Sequence, residues 1–193
     1  MVGKKWWQKF WQLAQGKTAL RSLIFVAIAE SIFFPVPPDM LLIPMGLAKR
    51  DRVFFYAGIC LAGSILGGII GYYLGYFFMD TLGQKIIAFY GVEDKYLFLQ
   101  RLYQQYQVWA VGIAGFTPVP YKLCTLTAGA FKISLLPFVL ISILSRGARF
   151  YLIAGLLYWK GEQARVFLEK RFNWLLIIGL ILGLGLYIVL KLR

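Results

Sequence analysis

The stretch "FFPVPPDMLLIPMG" (Phe33–Gly46) lies inside a long apolar run, yet it carries Pro35, Pro37, Pro38 and Pro44 together with Asp39. A near copy, "FTPVPYKLCTLTAG" (Phe116–Gly129), returns later with Pro118 and Pro120. Proline lacks an amide donor and its ring clashes with the preceding turn, so neither stretch continues as a straight helix. Thirteen residues, "SLIFVAIAESIFF", precede Pro35, and nine, "MLLIPMGLA", follow Asp39. These make about 20 Å and about 14 Å of helix, against about 30 Å of hydrocarbon in a bilayer. Neither arm spans alone. The reading that fits is a re-entrant hairpin, which enters and leaves by the same side. Irregular backbone at membrane depth is tolerated only when buried in protein or lining a wet cavity. The tip is therefore expected to be a site or the wall of one.

The rest of the composition agrees with a membrane chain. Hydrophobic residues make up 60% of the 193 positions, above the roughly half of soluble domains, and the mean hydropathy is +0.70. The length suits one domain, residues 1–193. There is no histidine, which removes the commonest general base and metal ligand. Cys60 and Cys124 sit in apolar runs without zinc or disulfide spacing. No metal and no cofactor are expected. The net charge of +13 reads as basic loops held beside anionic lipid rather than as nucleic-acid binding.

Along the chain, residues 4–20 mix lysines with Trp6, Trp7, Phe10 and Trp11 and read as an interfacial helix. Residues 53–78 are uncharged and long enough to span with tilt. Gly63, Gly67, Gly71 and Gly75 recur every four residues along this span, a smooth strip for helix packing. The strip would serve a homodimer as readily as an internal contact. Residues 93–107 read as a second interfacial helix, 108–131 as a second hairpin, 134–159 as a helix containing Arg146 and Arg149, and 172–190 as a final span.

Shifting the sequence by 83 residues lays Pro35-Val36-Pro37 on Pro118-Val119-Pro120, Gly46 on Gly129 and Lys49 on Lys132. Each unit then has the same order: interfacial helix, hairpin, transmembrane helix. The units cover about 4–78 and about 90–160. One net crossing separates the hairpins, so the second enters from the opposite face. The expected fold is an all-α membrane protein built as an inverted repeat, with a final transmembrane helix added. With the N-terminus cytoplasmic, segments 4–21, 49–52 and 160–171 hold twelve lysines and arginines, against six on the outer side. That bias obeys the positive-inside rule.

Glu30, Asp39, Lys122, Arg146 and Arg149 fall at membrane depth, where each charge is costly and should face inward. Arg146 and Arg149 share a helical face. Mutual neutralisation accounts for four of the charges. The remaining positive charge suits a phosphate, for which guanidinium geometry is apt. Arg149 and Arg146 are the first candidates to hold it and Lys122 the third, with hydroxyls offered by Tyr121 and Thr117. Glu30 and Asp39 are ion-pair partners or proton sites.

Four stretches together resemble the DedA family, also called SNARE-associated Golgi or VTT-domain proteins, in its YqaA-like branch. They are "ESIFFPVPPD" (Glu30–Asp39), the glycine run Gly63–Gly75, "GFTPVPYK" (Gly115–Lys122) and "SRGARF" (Ser145–Phe150). The resemblance covers about residues 20–160. It implies a multi-pass protein of the bacterial inner membrane with opposed hairpins, moving anionic or zwitterionic phosphate lipid, such as undecaprenyl phosphate or phospholipid, between leaflets. It also implies proton coupling in some members. Glu30 and Asp39 match the family's acidic hairpin positions and Arg149 its embedded arginine. Where many members read G-R-F-x-P-x-x-R in the second hairpin, this chain has Phe116 for the first arginine and Lys122 for the last. The family's substrate therefore does not carry over directly. The expected function is a lipid flippase or scramblase and not an enzyme. The alternatives are a proton-coupled transporter of small ions or osmolytes and a non-transport assembly factor.

Overall fold

In a computed structural model, residues 18–34, 36–117, 120–161 and 163 are described. The 4–20 helix, apart from its last residues, and the 172–190 span lie outside them, as do Pro35 and Pro118. The described chain is helical, with no strand among its residues. It comprises α1 (Ala19–Glu30), α2 (Asp39–Ala48), a 3-10 turn (Arg50–Arg52), α3 (Val53–Phe78), a π turn (Met79–Gly83), α4 (Gln84–Tyr90), α5 (Glu93–Phe116), α6 (Tyr121–Ala130) and α7 (Leu135–Lys160).

The helices are interrupted at Pro37, Pro38 and Pro120, whereas Pro44 lies inside α2 without ending it. α1 stops at Glu30, and the amides of Phe33 and Phe34 turn back onto the Ala29 carbonyl. Pro38 then caps α2 and Pro120 caps α6. Proline suits this boundary because its fixed φ fits the start of a helix and the missing donor would be unpaired anyway. The sequence reading separated residues 93–107 from the following arm. The structure instead runs one helix through Glu93–Phe116, with non-helical dihedrals only at Tyr106.

α3 and α7, 26 residues each, are long and apolar enough to cross a membrane. They lie antiparallel: Phe54 meets Tyr158, Gly58 faces Tyr151, and Ser64 bonds Arg146. α3 packs against α1, α2, α6 and α7. Its glycine strip sets how close the neighbours come. A Cβ on Gly63 would press on Ala27, and one on Gly67 would overlap the Ile28 carbonyl of α1. Further along, Gly71 lies under Thr125 and Gly75 under the Leu126 carbonyl of α6. From α6, Gly129 sits against the Tyr72 carbonyl in return. α2 is buried from Leu41 to Gly46, as expected of a helix apolar all round.

Two apolar clusters flank a polar layer. One gathers Leu23, Leu41, Leu42, Val53, Cys60, Phe150 and Leu157. The other gathers Tyr72, Val111, Tyr121, Ala128, Ile133 and Phe138. Between them along α3 lies Ser64, and along α7 lie Ser142, Ser145, Arg146 and Arg149. The outer surface is the opposite of a soluble protein's. Phe25, Phe33, Leu66, Phe77, Trp109 and Leu144 point outward, while Asp39 and Arg146 are buried inside. Among the exposed ends, the turn after α6 is tied down by Lys132, whose ammonium meets Asp80 at 2.5 Å.

Candidate functional site

The polar layer is assembled where the two proline breaks come together. Glu30 ends α1 and Asp39 begins α2, so the first break delivers two carboxylates to one place. α7 brings Arg146 and Arg149 on one face, one to each carboxylate. Arg146 Nη2 donates to Glu30 Oε2 at 2.6 Å, and its Nε to Ser64 Oγ at 2.7 Å. Its guanidinium also lies over the rings of Tyr121 and Phe150, 4.7 and 4.9 Å from their centroids. Such contacts are strong when desolvated, and only 3% of the Arg146 side chain is exposed. This arginine is spoken for on its edge and on its face.

Arg149 is held differently. One nitrogen donates to Asp39 Oδ2, and Nη1 donates to the Thr117 carbonyl at 2.7 Å. It therefore bridges the start of α2 and the end of α5, one element from each break. Asp39 is 2% exposed, and its Oδ1 has no hydrogen-bond partner among the described residues. Arg149 is thus the one described group that neutralises this carboxylate. Removing one member of a buried pair typically costs about 3–5 kcal/mol, because the other charge is left unsolvated.

Lys122 is the remaining cation of the layer. It has no carboxylate partner among the described residues. Its Nζ donates to the Phe33 carbonyl at 3.3 Å, across from one break to the other. A second tie runs the same way: Thr125 Oγ1 donates to the Ser31 carbonyl at 3.0 Å. The positive charge that the sequence count leaves over therefore resides on Lys122. Both arginines, the first candidates to hold phosphate, are engaged by carboxylates.

The hydroxyls expected at the second tip face elsewhere. Thr117 Oγ1 donates to its own helix at Ile113 O, 2.6 Å away, and it is the Thr117 carbonyl that joins the site. Tyr121 is fully buried and donates to Ser142 Oγ at 2.5 Å. Pro37, Pro38 and Pro120 flank the layer as helix boundaries. Gly63, Gly67, Gly71 and Gly75 bring α1 and α6 against α3. Sequence reasoning missed Ser31, Ser64, Thr125 and Ser142. Ser31 and Ser64 share a hydrogen bond of 3.0 Å. Ser142, Ser145, Arg146 and Arg149 follow i, i+3, i+4, i+7 spacing, and that polar stripe on an otherwise apolar helix was the available signal.

The VTT domain family model matches residues 34–158. A protein of Haemophilus influenzae is 36% identical over 188 residues, covering 96% of each chain. One of Histophilus somni is 35% identical over 185 residues, again covering 96% of each. Both carry the description uncharacterized. No solved structure matches.

Proposed function

Because the chain belongs to the VTT-domain family, a membrane-associated family of transporter-like proteins also called DedA or SNARE-associated, we propose that it moves a phosphate-bearing lipid between the leaflets of the bacterial inner membrane. The observation that carries this reading is Lys122: a cation without a carboxylate partner among the described residues, at the meeting of two broken helix pairs. The lipid phosphate binds there, Arg149 stands behind it, and the acyl chains stay in the bilayer. Glu30 and Asp39 are the proton-coupling candidates. The proposed membrane arrangement is an inverted repeat of re-entrant hairpins with a cytoplasmic N-terminus. The short arms α1, α2 and α6, the antiparallel α3 and α7, and the outward apolar side chains support it.

The test is leaflet exchange of labelled phosphate lipids in liposomes, with and without a pH gradient. Wild type is compared with Lys122→Ala and Arg149→Ala, folding being checked for each. Exchange is expected in the wild type and severe loss in both variants. Exchange of no lipid under either condition would remove the lipid reading and favour a small-solute transporter. The paired state of both arginines favours a second reading, an assembly factor whose charges only hold the fold. The exchanged pair Asp39→Arg with Arg149→Asp separates the two. Full function with the ions reversed would support the structural role.

A further inference from the structure

We propose that Lys122 is a latch between the two proline breaks as well as the anchor for the ligand, so that binding of a phosphate group unties them. The inference rests on the phosphate-lipid reading above and adds a conformational consequence to it. Three contacts join the breaks: Lys122 Nζ to the Phe33 carbonyl, Thr125 Oγ1 to the Ser31 carbonyl, and Arg149 to both Asp39 and the Thr117 carbonyl. All the carbonyls belong to chain just at or past a helix C-terminus, where unpaired acceptors carry partial negative charge and attract cations.

A phosphate oxygen is the stronger acceptor for the Lys122 ammonium because it bears a full charge, and drawing Nζ toward it takes the ammonium out of reach of the Phe33 carbonyl, which it meets at only 3.3 Å. The contacts do not yield equally. Arg149 is fixed by a buried carboxylate that has no other cation among the described residues, so releasing it strands Asp39. Arg146 is held by Glu30, Ser64 and two rings. Lys122 has one carbonyl at 3.3 Å and lies on the accessible side of the layer. It is the donor that can be exchanged at least cost. When its ammonium turns to a phosphate, Phe33 O loses its partner, and among the described residues the side-chain ties left between the breaks are those of Thr125 and Arg149. A ligand shifts such an equilibrium only through its preference for one state, and here the preference comes from the shared donor.

Phe33 and Leu123 lie on either side of the latch, and both are exposed (66% and 57%), so they accept spin labels without entering the site. The distance between labels at Phe33→Cys and Leu123→Cys is measured in maltoside detergent, with Cys60 and Cys124 replaced by alanine. The added probes are dioctanoyl phosphatidic acid, inorganic phosphate, and dioctanoylglycerol, which lacks the phosphate. Binding is followed in parallel by native mass spectrometry. Phosphatidic acid is expected to shift the distance outward, and dioctanoylglycerol to leave it unchanged. A shift with inorganic phosphate as well would assign the effect to the free anion, and its absence to the lipid-borne one; either supports the latch. Lys122→Met is expected to show the longer distance without ligand and no further response, while Lys122→Arg keeps the response. Phosphatidic acid that binds without moving the labels, or an equal shift in Lys122→Met, would overturn the latch and leave the lipid reading intact. No binding of any phosphate probe would overturn both.

Discussion

At the scale of single residues, the decisive quantity is which charge is left after pairing. Asp39 and Arg149 are the most informative pair, because Asp39 Oδ1 has no partner among the described residues. Asp39→Asn and Arg149→Met are each expected to lower stability by about 3–5 kcal/mol, since each leaves a charge or a donor buried alone. The double variant is expected to lose clearly less than the sum of the singles. Denaturant unfolding in detergent gives the coupling directly, and strict additivity would mean the two side chains do not interact. The charged residues themselves were legible in the sequence, because an ion in an apolar run is conspicuous. Their partners were not. Glu30 and Asp39 are nine residues apart, and either could reach either arginine on paper. Which arginine meets which carboxylate depends on the turn of α7 against α1 and α2. The hydroxyls were harder still, since serine and threonine are common packing residues in membrane helices.

At the scale of elements, the proline breaks and the glycine strip read out locally and for that reason read out well. A missing amide or a missing Cβ acts on its own helix and its immediate neighbour. The strip also yields a sharp contrast. Gly67→Ala or Gly75→Ala would drive a methyl into a backbone carbonyl of α1 or α6, and a carbonyl cannot rotate away. Both variants should unfold at lower temperature or fail to fold. Gly155→Ala meets nothing within 4 Å and should stabilise α7 by up to about 1 kcal/mol through helix propensity. Thermal unfolding of the three variants checks the order, and a harmless Gly67→Ala would show that α1 is not held by close approach. The boundary at residue 107 was misjudged because composition changes there from polar to apolar. The backbone does not follow composition, and α5 continues with only Tyr106 out of line.

At the scale of the whole molecule, α3 and α7 each run from one apolar cluster, through the polar layer, to the other. They thereby separate the turn at Arg50–Arg52 from the turn at Met79–Gly83. On the proposed orientation the first is cytoplasmic and the second faces out. In a chain without its native cysteines, Thr81→Cys should react with an impermeant maleimide in spheroplasts, and Asp51→Cys only after lysis. Labelling of both from one side would remove the inverted arrangement. That arrangement was suggested by the 83-residue repeat, and so was the opposite charge of the two tips, since the shift lays Asp39 on Lys122. The first half supplies the carboxylates and the glycine strip, and the second supplies the cations, because matched positions share backbone roles but not charge. The polar layer between two apolar clusters also has an electrical meaning. Moving one elementary charge through the full membrane potential involves about 2.3 kcal/mol per 100 mV. A charge that rests at the layer meets that work in two instalments, one on each side. On the proposed function, an anionic headgroup held at Lys122 would cross the potential in two smaller steps rather than one, and the membrane potential would act on how long it stays there.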